Sequence, residues 1–262
     1  MHRVPGMHSR LSLWCLRIRI LRSVSLVGQY MSMSQKRTYR TFIHREAVFR
    51  ICCDQFEAVT EEIVRQRRIL EDYIDRHPDF QPSFEPVELC WDAPVVVQRM
   101  VRAAQLVGVG PMAAVAGAMA QCAAEAGLEA GAQEAIVENG GDIYLRAIEP
   151  VIIGLGTGTA DLTDQLAFSL QAHDTPISIC SSSGQMGHSK SLGKCNLATA
   201  VARDAALADA AATQAANLVM TVEDVDSALE RIAAIEGIEG VMIIKNDRVG
   251  LVGQLPPLVK IR

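Results

Sequence analysis

Apolar and polar positions along the chain fall into short alternating runs separated by a few longer helical ones. TYRTFIH and AVFRICC, within residues 38–53, alternate as two strands about a turn at 44–46. Over 57–77, apolar residues at 59, 63, 69, 70 and 74 recur at helical spacing behind a charged face, which predicts an amphipathic helix. A connection bearing Pro78, Pro82, Pro86 and Pro94 follows. Asp92 and Pro94 are the expected N-cap and first-turn proline of a helix reaching about Leu106. The next helix is expected from Pro111 to near Gly127, and its apolar residues on every side predict burial.

EAIVE, DIYLR and PVIIGLG then read as three short strands. QLAFSLQ alternates at Leu166, Phe168 and Leu170, and PISIC at Ile177 and Ile179; these two are expected to pair with each other, antiparallel. LATAVAR reads as a strand and ARDAALADAAATQAANLVM as a helix. A helix at 224–235 and the strands VMIIKN and RVGLVGQ, turned at Asn246 and Asp247, complete the pattern. The expected fold is a single mixed α/β (α+β) domain, its sheet mostly antiparallel and its helices alanine-rich and closely packed.

Residues 1–35 do not share this pattern. They hold five arginines and no acid, with little periodicity. Such a segment reads as a targeting peptide or as translation upstream of a start at Met31 or Met33. The second reading is preferred, because no secretory h-region or cleavage site is present. The domain is therefore expected in 36–262, behind a disordered or wrongly assigned extension. The net charge is −5, so setting the five arginines aside leaves about −10 on the rest. That balance argues against nucleic acid as a partner. It does not exclude a phosphate-bearing small molecule held by a metal or by backbone amides. The longest apolar run, LVGVGPMAAVAGAMA, is short and broken by glycine and proline, so no membrane span is expected. Seven cysteines without a CxxC pair point to reduced thiols and a cytoplasmic location.

Three stretches hold candidate chemistry. ENGGDIYL (138–145) is either a hairpin turn or a loop whose two glycines let a ligand approach the backbone beside Asn139 and Asp142. CSSSGQMGHSKSLGKCN (180–196) is either a surface loop or one whose hydroxyls and amides line a polar ligand. It is not a GxSxG elbow or a P-loop, and its match to SxxK at Ser191 and Lys194 lacks a KTG box. Behind it, Asp209 and Thr213 lie four apart on one helical face framed by alanines. Together they are either an Asp–Thr hydrogen bond or two hard oxygen ligands for Mg²⁺. His44, His77 and His173 have no HxxxH partner, which disfavours zinc, and His188 is the one histidine of the small-residue loop.

NGGDI (139–143), SSSG (181–184), GHSKSLG (187–193) and ADAAAT (208–213), in this order, resemble the ApbE-like superfamily. These are the flavin transferases that move FMN from FAD onto a protein threonine or serine. The resemblance spans about residues 36–255 and is nearest to the superfamily's shorter UPF branch, which shares the fold without an established reaction. It implies Mg²⁺ held by Asp209, Thr213 and a backbone carbonyl of the 113–116 turn, taken here at Ala114. It places Asn139, Gly140, Gly141 and Asp142 against a flavin nucleotide. Ser182, Ser183, Gly184 and His188 would line the pyrophosphate, with His188 as phosphate donor or general acid. The implied ligands are Mg²⁺ and FAD, the latter as substrate or bound ligand. The implied partner is an acceptor protein, and homo-oligomerisation stays open.

Two departures bear on the reaction. Ala116, Gly117 and Ala118 stand where the transferases carry an AKG-type segment, so the lysine is missing. HSKSLG stands for their His-x-x-Asp-Pro-x-x-Gly, without the acid or the proline, and the chain has no DGxxGA-like acceptor motif. Two functions remain: an Mg²⁺-dependent enzyme acting on FAD by FMN transfer or pyrophosphate hydrolysis, or a non-catalytic flavin- or nucleotide-binding relative serving a neighbouring pathway.

Overall fold

The computed structural model describes residues 37–156, 166–184 and 193–260. Its centre is an eight-stranded sheet in which every pairing is antiparallel. The strands are β1 (Arg40–His44), β2 (Ala47–Cys53), β3 (Ala135–Asn139), β4 (Asp142–Arg146), β7 (Ile177–Ser182), β8 (Leu197–Ala202), β9 (Ile238–Lys245) and β10 (Arg248–Gly253). They stand in that order across the sheet. Between β4 and β7 the chain leaves to build a second sheet from β5 (Val151–Gly154), β6 (Leu166–Leu170) and β11 (Leu258–Lys260), in the order β11-β6-β5.

Strand alternation assigns each residue of the large sheet to one of two cores. Phe49, Ile51, Val137, Tyr144, Cys180, Ala198, Ala200, Val241 and Ile243 point to one face, which is covered by helices. Ile136, Ile143, Leu145, Ile177, Ile179, Val201, Met242 and Ile244 point to the other and pack with Ile153, Phe168 and Leu170 of the small sheet. The result is three layers, with both faces of the central sheet buried.

The helices are α1 (Phe56–Arg76), α2 (Val95–Val107), α3 (Val115–Glu129), α4 (Ala205–Leu218) and α5 (Asp224–Ala233). α4 lies on the small side chains of β7 and β8, which lets its backbone come close to the sheet. α3 crosses α4 at Gly117. A Cβ there would stand 2.1 Å from the Ala205 carbonyl oxygen, so only glycine permits the contact. Asp204 caps α4 by accepting from the Leu207 amide at 2.9 Å.

Most expected elements are found, and three expectations need correction. Asp92 does not cap α2. Pro94 occupies the N-cap position, and Asp92 reaches back to Arg76 at 3.8 Å instead. The helix expected from Pro111 begins as a 3-10 turn, Pro111–Ala114, before α3. β6 and β7 do not pair. β6 joins β5 and β11 while β7 joins β4 and β8, because alternation shows that a strand has a buried face but not which neighbour supplies it. β11, a short strand near the end of the chain, is not among the expected elements. Among the described residues no single helix is long and apolar enough to cross a membrane, and six cysteines are free thiols.

Candidate functional site

The β3–β4 hairpin turns on Gly140 and Gly141, whose φ of +66° and +117° no residue with a side chain adopts easily. The turn brings Asn139 opposite Asp142 as the last ladder pair. Both point to the helical face, where the Asn139 amide Nδ2 donates to the Ala116 carbonyl at 3.2 Å. The expected hairpin is found, a tight turn that presents two polar side chains to the helices.

Asp142 stands in register with Cys180 of β7, and Cys180 with Ala200 of β8. Its carboxylate is buried beneath α4 beside the Cys180 thiol and the Ser181 amide, while Oδ1 has no hydrogen-bond partner. Burial pushes its pKa up to about 7, and the charge of Glu138 adds to the shift. From above, α4 lowers Asp209 into the same region. Asp209 is buried, and its Oδ2 accepts from the Gly117 amide at 2.9 Å, with the Ala116 amide also contributing. Burial raises it well above the ordinary carboxylate range, and the neighbouring Asp142 raises it further. Thr213 follows one helical turn later, also buried.

Two buried carboxylates, Asp142 raising the pKa of Asp209 and keeping one oxygen unpartnered, form a place where positive charge is missing. Their donors are hard oxygens, together with the Thr213 hydroxyl and nearby backbone carbonyls, which fits Mg²⁺. Among the described residues no group of three His, Cys, Asp or Glu converges as a ready metal cage. A cation here would therefore complete its shell with ligand and water oxygens, as Mg²⁺ commonly does.

The other predicted residues extend from this point. Ala114 is buried at the end of the 3-10 turn, but the backbone groups that reach Asn139 and Asp209 are those of Ala116 and Gly117. Ser182 ends β7 on the helical face, opposite Ala198. Ser183 and Gly184 close the base of the small-residue loop. The Gly184 amide donates to the Cys195 carbonyl at 2.9 Å, and a Cβ on Gly184 would meet the Gly193 carbonyl oxygen at 2.2 Å. His188 lies outside the described residues.

Three participants are not legible in the sequence as members of the site. Cys180 stands beside Asp142 only because β4 and β7 are neighbours, a pairing that no local pattern announces. Gly117 stands out in the sequence only as the place of a missing lysine; in the fold its amide holds Asp209. Glu138, on the opposite face, is buried with Arg50 at 3.3 Å, and burial pushes it up to about 7. Its position in a strand of buried residues is the available signal.

Known proteins resemble this chain along most of its length. The family model described as "AbpE bacteria" matches residues 41–251. A UPF0280 protein of Archaeoglobus fulgidus is 37% identical over 224 residues, covering 83% of this chain and 92% of that protein. A UPF0280 protein of Methanocaldococcus jannaschii is 39% identical over 210 residues, covering 78% and 85%. Among solved structures, the flavin transferase ApbE from Vibrio cholerae superposes with a TM-score of 0.53 at 14% identity, covering 83% of this chain and 96% of that one. The flavinyl transferase ApbE of Pseudomonas stutzeri superposes with a TM-score of 0.52 at 11% identity, covering 85% and 96%. The motif order, the three-layer fold and the relatives converge: this chain belongs to the ApbE-like superfamily, in its UPF0280 branch.

Proposed function

We propose that this protein binds a flavin nucleotide, FAD or a close relative, together with Mg²⁺, and acts on the nucleotide's diphosphate. The observation that carries the reading is the buried pair Asp142 and Asp209, with its unpartnered oxygen and no cationic side chain paired to it among the described residues. Asp209, Thr213 and a carbonyl near Ala114 or Ala116 would hold the ion. When bound, Mg²⁺ would neutralise phosphate charge and stabilise a phosphate leaving group. The chain's own part is positioning. Gly117 and Ala116 fix Asp209, Asn139 ties the hairpin to α3, and the turn at Gly140 and Gly141 leaves room for a flat ring to approach the backbone. Ser182, Ser183, Gly184 and His188 would line the diphosphate, with His188 as donor or general acid. That the solved neighbours are named flavin transferases supports FMN transfer to an acceptor protein as the reaction, with hydrolysis of the diphosphate as its water-driven counterpart.

One observation favours the second reading, a non-catalytic nucleotide-binding relative. A Cβ at Gly117 would stand 2.1 Å from one backbone oxygen, so this position cannot carry the lysine of an AKG-type segment without moving α3 off α4. Titration calorimetry of FAD and ADP, with and without Mg²⁺, tests binding; the appearance of FMN from FAD tests turnover. Mg²⁺-dependent binding with FMN release supports the enzyme, and binding without release supports the relative. If neither nucleotide binds in Mg²⁺, both readings fail.

A further inference from the structure

Between α1 and α2, over α3, the helical layer has a cleft of about 350 Å³. Cys122 and Ala126 of α3 line it, with Arg65 and Ile69 of α1 on one side and Val95 and Arg99 of α2 on the other. It is apart from the nucleotide site. Gly117 holds Asp209 near the start of α3, and Ala126 lies nine residues on, roughly 13 Å along the helix. The arginines of the cleft are already paired, Arg65 with Glu62 at 2.6 Å and Arg99 with Glu125 at 2.8 Å. What the cleft offers is therefore an apolar hollow with a charged rim.

Beside this hollow stands a knob. Trp91 is 95% exposed, and it comes three residues before Pro94, so it lies within roughly 10 Å of the cleft's edge. Its segment is anchored to the fold. Phe80 is buried against Tyr73, the Gln105 side chain donates to the Val87 carbonyl at 2.8 Å, and the Gln98 side chain donates to the Ala93 carbonyl at 2.8 Å. An indole held out in water on an anchored segment is costly to expose and preorganised to bind. Val95, on the cleft wall, is 60% exposed. Between Pro78 and Pro94 the sequence carries Asp79, Glu85, Glu88 and Asp92 and no lysine or arginine. Arg102 lies on the outer stripe of α2 that begins with Val95 and Arg99. Among the described residues Arg102, Glu85 and Glu88 are exposed and enter no ion pair.

We propose that this face binds a second copy of the chain, with Trp91 of each copy seated in the α1–α2 cleft of the other. A two-fold axis brings a patch onto itself, so a knob beside a hollow fills two hollows at once. The same axis lays the acidic segment of each copy along the α2 arginines of the other, where Glu85 and Glu88 find Arg102. The indole enters beside the Arg99 guanidinium, which favours an aromatic face. Two indoles and the walls they cover bury about 600–1,000 Å². Val95 and the charged rim carry the contact toward the roughly 1,200 Å² at which stable interfaces begin. The pairing leaves the nucleotide site untouched and does not rest on the proposed function.

Sedimentation equilibrium of the full chain, without nucleotide, tests it. Wild type is expected to be a dimer at about 100 μM, since an interface at the small end of the range gives micromolar affinity. Trp91→Ala is expected to weaken the dimer at least about thirtyfold, the lower bound for an aromatic hot spot. Val95→Glu is expected to do the same by placing a charge on the wall that meets the indole. Both positions are exposed, and an acid suits the first turn of α2, so both variants should melt as the wild-type monomer does. Trp14 is the second tryptophan, and in Trp14→Phe the emission of Trp91 is expected to shift to the blue as the dimer forms. A wild type that stays monomeric at about 100 μM overturns the proposal and leaves the face to a different protein. A dimer that keeps its affinity in Trp91→Ala or in Val95→Glu overturns it by placing the interface elsewhere. So does a dimer in which the Trp91 emission does not move.

Discussion

The two ends of α4 are opposites. Near its start, Asp209 is buried beside Asp142 with no cationic side chain paired to either among the described residues; burial raises the pKa of both, and the charge of Asp142 raises Asp209 further. Near its end, Lys245 is buried with one carbonyl and no carboxylate among the described residues. The charges are of opposite sign, yet they do not neutralise each other, because most of the length of a helix separates them. Elsewhere the chain pairs charge directly: half-buried Arg37 grips Glu134 with two hydrogen bonds of 2.7 Å, and at the surface Arg203 meets Glu239 at 2.7 Å. Among the described residues the fold thus pairs charge directly in one place and leaves it without a charged partner at both ends of one helix.

The carboxylate end can be broken by Asp209→Asn, and this is the largest effect expected. Mg²⁺ dependence of nucleotide binding should vanish, an affinity change of at least about a hundredfold if a charged ligand is lost. The apo protein should be as stable as wild type, or more stable by about 1–2 kcal/mol, since an unbalanced charge is removed. Calorimetry and chemical denaturation check the two halves. Asp209→Asn binding as well as wild type would reduce the pair to a structural contact.

Gly117→Ala tests how the end is held. The added methyl must push α3 from the Ala205 carbonyl, so stability should fall by about 2–3 kcal/mol, or roughly 5–10 °C in melting temperature. Because the Gly117 amide holds Asp209, Mg²⁺ affinity should fall with it. A variant that melts like wild type would show that α3 slides without strain.

Glu138 sharpens the comparison from the other face, where Arg50 does supply a counter-charge. Burial still raises it from the ordinary 4.5 to about 7. The folded state therefore keeps a proton that the unfolded chain has lost, and stability is highest below pH 4.5 and declines as pH rises toward 7. Glu138→Gln should flatten that decline and leave the variant more stable at pH 8, on the order of 2 kcal/mol. Parallel denaturation curves at pH 5 and pH 8 decide it; an unchanged slope would show that Arg50 alone balances the carboxylate.

Thr213→Val is the smallest change. Losing one neutral ligand should weaken Mg²⁺-dependent binding by about tenfold or less, with stability within about 0.5 kcal/mol. A loss as large as that of Asp209→Asn would mean that Thr213 does more than coordinate.

Much of this molecule is legible in its residues alone. Local chemistry suffices for the hairpin, because Asn-Gly-Gly-Asp can turn tightly almost only one way. It suffices for α4, where alanine spacing and Asp204 define a buried helix, and for Asp209 and Thr213, which share a face by helical period alone. Those signals lie within a few residues of one another, and backbone geometry relates them directly.

The tertiary structure alone decided what meets what. Strand order put Cys180 beside Asp142 and sent β6 to a second sheet, and alternation is silent on both. The crossing of α3 over α4 made Gly117 a holder of Asp209, where the sequence shows only an absent lysine. Read along the chain, Lys245 is an ordinary lysine ahead of a turn. The structure shows it buried, and burial depends on which elements cover a residue, a long-range fact that no local spacing contains.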